Sequence, residues 1–137
     1  PHSFDLMSLD SNCQRDRRGL LLPHYTPWST PASSGINAFA QPLPYQHNTY
    51  VFPQFVLVGP LLRYIIDKKY QGGVSLVVPD LQPRVYWWAI LQSFKVDQQL
   101  LGRKGSSAVL LFPDLPDGRW GPRPLPWDLW VFRCLFN

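Results

Sequence analysis

The feature that most constrains this chain is "GVSLVVP" (73–79), an uncharged, β-branched run with a helical pattern on each side. Such a run reads as a strand buried on both faces, the condition of a central strand in a parallel sheet. It needs cover above and below, and its neighbours supply it. Upstream, Leu61, Leu62, Ile65 and Ile66 recur at helical spacing. Pro60 is tolerated in a first helical turn. The spacing therefore predicts a helix from about Gly59 to Lys69, with Lys68 and Lys69 at the negative end of the dipole and Gly72 and Gly73 as its stop. Downstream, "RVYWWAILQSF" (84–94) predicts a second helix, preceded by Pro83.

The remaining elements are shorter. "FDLMSL" (4–9), "INAFAQ" (36–41) and "TYVF" (49–52) read as strands ahead of the first helix, and "QQLLG" (98–102), "AVLLFP" (108–113) and "WDLWVFRCLF" (127–136) as strands after the second. "LLLPHYTPWSTPASSG" is too rich in Pro, Ser and Thr for a regular element and reads as a long ordered loop pinned by Tyr25 and Trp28. The strand–helix alternation from residue 49 to about 112 predicts an α/β fold over a single domain, residues 1–137. Its layered sheet is expected to be mixed, parallel early and antiparallel late, with long Pro-rich loops. In such sheets ligands sit outside the carboxyl ends of the strands.

Composition excludes several classes. Apolar residues make up 45% of 137 and charged residues 16%, which is globular rather than disordered. No apolar run approaches the roughly 20 residues of a membrane helix, so no membrane partner is expected. The start, "PHSFDLMSLDS", has no signal-peptide pattern and opens on a strand, so a fragment of a longer chain is expected. Cys13 and Cys134 lie far apart and form no Cys-x-x-Cys pair, so they read as reduced thiols of an intracellular protein, nuclear or cytoplasmic. His2, His24 and His47 lie in or beside loops without ligand spacing, so no metal site is expected and each reads as solvated. There is no Gly-x-Ser-x-Gly elbow and no Walker loop. The sequence allows Asp5 and Asp80 to pair as acid and base but does not argue for it, and capping and loop hydrogen bonds explain each better.

The most specific motif is "VFPQF", ending the "TYVF" strand. A strand ending in Asn/Asp-Pro-Pro-aromatic is how adenine methyltransferases hold a flipped base, the polar group accepting from the exocyclic amine and the ring stacking. Here Pro53 and Phe55 keep that pattern, while Phe52 and Gln54 replace the acceptor and the second proline. In order, "FDLMSLDSN", "GINAFAQ", "TYVFPQF" and "GVSLVVPDLQPRVYWWAIL" resemble the methyltransferase-like (Dam-like) region of DIRS-type and Ngaro-type retroelement polyproteins, over residues 4–95. These elements carry a reverse transcriptase and a tyrosine recombinase. The resemblance implies a Rossmann-like methyltransferase-type sheet. It assigns Asp5, Asn12 and Asn37 to S-adenosylmethionine, and Phe52, Pro53, Gln54 and Phe55 to the catalytic corner. Val78-Pro79 and Trp87-Trp88 match the strand and Trp-rich helix that follow.

Phe52 cannot accept a hydrogen bond from an amine, and "DLMSLDSN" lacks the glycines that admit the cofactor. The expectation is therefore a degenerate, inactive domain that binds no cofactor and serves as a structural or nucleic-acid-contacting module beside neighbouring polyprotein domains. An active enzyme with an altered acceptor is the second reading. A protein-interaction scaffold, docking partners on Trp120, Trp127 and Trp130, is the third. The net charge of +4 and pI near 9.3 are compatible with DNA or RNA. That role would rest on Arg15, Arg17, Arg18, Arg103, Lys104, Arg119 and Arg123.

Overall fold

The computed structural model describes residues 1–45, 47–107, 110–112 and 121–136. In chain order its strands and helices are β1 (Phe4–Asp5), β2 (Tyr25–Thr26), β3 (Gly35–Ile36), β4 (Thr49–Val51), α1 (Val58–Asp67), β5 (Gly72–Pro79), α2 (Trp87–Phe94), β6 (Lys95–Gly102), β7 (Leu111–Phe112), β8 (Gly121–Pro122) and β9 (Leu129–Phe136). Short 3-10 turns follow β3 (Ala38–Ala40) and β4 (Phe55–Leu57).

The five-stranded main sheet runs β1-β4-β5-β9-β6. Strands β1, β4 and β5 are parallel, and β9 runs antiparallel to both β5 and β6. This is the expected mixed α/β sheet. A parallel β2–β3 pair attaches to β1 through an Asp5–His24 bridge, reinforced by Asp5 N–H to Pro23 O (3.0 Å) and Ser8 N–H to Tyr25 O (3.1 Å). Strand β5 is central, as its sequence demanded, and Val74 to Pro79 are all buried.

The two faces of β5 carry different loads. Val74, Leu76 and Val78 share one core with Leu61, Leu62 and Ile65 of α1, Trp87 and Leu91 of α2, and Phe132 of β9. Val77 belongs to a second cluster on the opposite side, with Leu125 and Leu129. Each fully buried aliphatic side chain in these clusters contributes about 1.5–3 kcal/mol, so the sheet is anchored chiefly through β5 and α1.

Several boundaries differ from the expectation. The buried stripe of α1 is Val58, Leu61, Leu62 and Ile65, whereas Ile66 is exposed. The helix ends before the glycines. Lys69 takes the left-handed conformation (φ 52°), and Tyr70 N–H reaches back to Ile65 O (3.1 Å) as its side chain is buried. Helix α2 starts at Trp87 rather than Arg84, because Arg84 is drawn back to an ion pair with Asp80. Strand β6 begins at Lys95, directly off the helix. "FDLMSL" shrinks to a two-residue strand, and of "INAFAQ" only Ile36 lies in a strand while Ala38–Ala40 form a 3-10 turn. Tyr25 does pin its loop, donating to Pro42 O (2.7 Å), but Trp28 is 60% exposed and contributes only its carbonyl, which accepts the Thr26 hydroxyl (2.6 Å). Of the "AVLLFP" strand, residues 108, 109 and 113 lie outside the described residues. No helix among the described residues is long and apolar enough to cross a membrane.

Candidate functional site

The parallel pairings set β1, β2, β3, β4 and β5 ending at one edge, and the antiparallel β9 starts there. Asp5 closes β1, Asn37 follows β3 and Pro53 follows β4, so these three expected positions share that edge.

Asp5 is 1% exposed. Its Oδ2 accepts the Gln14 N–H (3.0 Å), which folds the β1 exit loop back on the strand. Its Oδ1 is buried with no hydrogen-bond partner, as is Ser8 Oγ; the Ser8 hydroxyl is close enough to favour the carboxylate without reaching hydrogen-bond geometry. Desolvation therefore wins over the neighbouring N–H groups and pushes the Asp5 carboxyl up to about 6. Burial likewise pushes the Cys13 thiol, in the same loop, up to about 11.

Asp10 ties this loop to the next one. Its Oδ1 lies 2.8 Å from His24 Nε2 and accepts the Thr30 hydroxyl (2.8 Å), and its Oδ2 accepts Ala32 N–H (3.1 Å). The His24 hydrogen bond, first among these, holds the Asp10 carboxyl below its ordinary value. His24 is fully buried, with Nδ1 2.8 Å from Leu22 O. It is thus a structural clasp and not the solvated loop histidine expected. His2 and His47 are half buried as well, each bonded to a serine hydroxyl.

At the corner, Phe52 packs against the Val77, Leu125 and Leu129 cluster. Pro53 is buried, and Gln54 is exposed, its carbonyl accepting Leu57 N–H (2.8 Å). The Phe55 ring meets Trp127 edge to face, 4.7 Å between centroids. Trp127 was missed as a member of this site. The available signal was its position just before the strand that begins at this edge. Trp127 and Trp130 are half buried against the hydrophobic clusters, so they are not free docking rings, and Trp120 lies outside the described residues.

The other expected residues are spent locally. Asn12 is exposed and its Oδ1 accepts Leu9 N–H (2.8 Å). Asn37, at φ 60°, caps the following turn by accepting Phe39 N–H (3.1 Å). Asp80 bonds Arg84 and Gln82 and shares no partner with Asp5, so the two make no acid–base pair. The basic residues fall into separate groups. Arg103 and Lys104 follow β6 at the strand-end edge, where Lys104 N–H donates to Asp128 Oδ1 (2.7 Å). Arg15, Arg17 and Arg18 sit at the opposite edge, against Pro1–Ser3 ahead of β1. Arg123 is exposed, between β8 and β9, and Arg119 lies outside the described residues.

These residues fit S-adenosylmethionine poorly. Asp5, Asn12 and Asn37 each hold a turn or loop of their own, and the orphan oxygen among these three side chains, Asp5 Oδ1, is sealed from solvent. Among the described residues no three His, Cys, Asp or Glu side chains are grouped to hold a metal ion. No protein-family model matches the chain, and no curated protein matches it.

Proposed function

We propose that this chain is a Rossmann-like, methyltransferase-type domain that does not transfer methyl groups and acts as a structural module of a retroelement-type polyprotein. The observation that carries the reading is strand order. Followed through the Asp5–His24 bridge, the strands run β3-β2-β1-β4-β5-β9-β6. The first five match the parallel doubly wound order, with the strand ends on one side. The last strand then returns antiparallel and wedges between β5 and β6, the arrangement of a methyltransferase-type sheet. The Phe52–Phe55 corner stands at the end of β4, where such an enzyme holds its target base. Phe52 offers that base no acceptor and is committed to the Val77, Leu125 and Leu129 packing.

The test is incubation with methyl-labelled S-adenosylmethionine and adenine-containing single- and double-stranded DNA, alongside calorimetric titration of the cofactor. The reading expects no label in DNA above a protein-free control and no saturable heat at micromolar concentration. Micromolar binding with label on adenine would overturn it.

A further inference from the structure

At the edge opposite the corner, Pro1–Ser3 and Gln14–Arg18 line a groove of about 460 Å³. That volume is within the range of small-ligand clefts, roughly 300–1,000 Å³. One wall is a hairpin whose geometry is fixed in detail. Leu22 N–H bonds Gln14 O (2.9 Å), Asp16 N–H bonds Leu20 O (2.8 Å), and Gly19 N–H bonds Asp16 O (3.0 Å). Gly19 sits at φ 81°, which a side chain rarely tolerates and which closes the turn. Arg17 and Arg18 therefore occupy the tip of a preset turn.

Asp16 is the one carboxylate in the lining, and it faces the turn. Its Oδ1 accepts Arg18 N–H (2.8 Å) and Leu20 N–H (3.0 Å). Arg15 Nη1 donates to Gly19 O (2.6 Å), which steadies its guanidinium across the hairpin. The ion pairs among the described residues are Asp10–His24 and Asp80–Arg84, so no carboxylate neutralises Arg15, Arg17 or Arg18.

One lining residue, His2, is tied to the main sheet. Arg133 Nη1 donates to Ser75 Oγ (3.1 Å), and that hydroxyl lies 2.8 Å from His2 Nε2. The Ser75 hydroxyl, with one proton and two lone pairs, serves both partners at once. Desolvation, with Arg133 beside it, holds His2 below its ordinary value. Gly73 makes room for this arrangement, since a Cβ there would lie 2.2 Å from Arg133 Nη2.

We infer that this groove binds the phosphodiester backbone of a nucleic acid, with Arg15, Arg17 and Arg18 as the phosphate-contacting groups. Guanidinium forks match phosphate oxygens. Apart from Pro1 and the His2 ring, every side chain in the lining is polar or charged. This inference does not rest on the methyltransferase reading, because the groove and the corner lie at opposite edges. Nucleic acid held here leaves the corner uncovered.

The test is fluorescence anisotropy of the 137-residue chain with labelled oligothymidylate, oligouridylate and a DNA duplex, titrated with salt. Three phosphate contacts give a slope of log K against log salt of about −2 for single strands and about −3 for duplex. R17E/R18E, at an exposed hairpin tip, should weaken binding at least about tenfold and flatten the single-strand slope by about 1.4. R17K/R18K keeps the charge and loses the fork, so it should weaken binding less than R17E/R18E and keep the parent's salt slope, and R103A/K104A at the other edge should leave binding unchanged. Three results would each overturn the inference: an unaltered affinity of R17E/R18E, loss of binding in R103A/K104A instead, or arginine-dependent binding to phosphatidylserine vesicles with none to oligonucleotides.

Discussion

Asp5→Asn separates a buried, poorly compensated carboxylate from a merely polar loop residue. The structure leaves Oδ1 without a partner and raises the Asp5 carboxyl from 3.8 to about 6. The folded chain therefore holds a proton that the unfolded chain has already released. Stability must fall as pH rises from about 4 to about 6, and level off above about 7. At ~1.36 kcal/mol per pH unit, the interval from 3.8 to about 6 corresponds to roughly 3 kcal/mol lost at neutral pH. Asn removes the charge and keeps an oxygen for the Gln14 N–H. Its new N–H₂ must find an acceptor, and the unpartnered Ser8 Oγ is the available one. Incomplete pairing there costs about 1–3 kcal/mol, so the net gain should be about 0–2 kcal/mol at neutral pH, and at about pH 4 the same cost should leave the variant about 1–3 kcal/mol less stable than the parent. Urea unfolding followed by tryptophan fluorescence at several pH values reads both quantities. A variant that is less stable than the parent at neutral pH, or that keeps the parent's slope between about pH 4 and about pH 6, would refute the account of Asp5.

Other consequences can be measured independently. Asp10→Ala removes the partner of His24, Thr30 and Ala32 at once and should lower Tm by several degrees; an unchanged Tm would show that the clasp holds nothing. Asp10 also titrates in the opposite sense to Asp5. Its lowered carboxyl contributes stability that is complete above about pH 4 and disappears as pH falls further, which should show as acid-side loss in Asp5→Asn. Trp127→Ala strips the edge partner of Phe55 and should cost about 2–4 kcal/mol in urea unfolding, whereas a ring free in solvent would cost nearly nothing. Burial pushes both Cys13 and Cys134 thiols up to about 11, so native protein should react slowly with iodoacetamide and quickly once unfolded; fast native labelling would contradict their burial.

The sequence disclosed some of this architecture and hid the rest for physical reasons. Strand β5, helix α1 and strand β9 are legible because their burial imposes a pattern: Val74 to Val78 without a charge, Leu61, Leu62 and Ile65 at helical spacing, Leu129 to Phe136 nearly all apolar. Strand β6 is poorly legible because it pairs on one side only, and Lys95, Asp97, Gln98 and Gln99 satisfy an exposed edge. Strands β2 and β3 are too short for any period to emerge and are recognised only through their hydrogen bonds to β1 and to each other. The corner itself was readable from Pro53 and Phe55, but its partner Trp127 comes from the far end of the chain, and nothing local connects them. The burial of Asp5 and His24 was not legible, because burial of a polar side chain is a tertiary fact. Arg15, Arg17 and Arg18 were visible as charge, while Ser75, Arg133 and His2 gain their connection only from the strand register.

Strand β9 lies between β5 and β6, and the proposed strand order rests on that placement. Backbone cross-strand nuclear Overhauser effects in isotope-labelled protein test this directly. Val131 should give contacts to Val77 on one side and to Gln99 on the other, both with antiparallel geometry. Direct contacts between Val77 and Gln99, with Val131 touching neither or only one, would mean that β5 and β6 are neighbours, and the proposed strand order would be wrong.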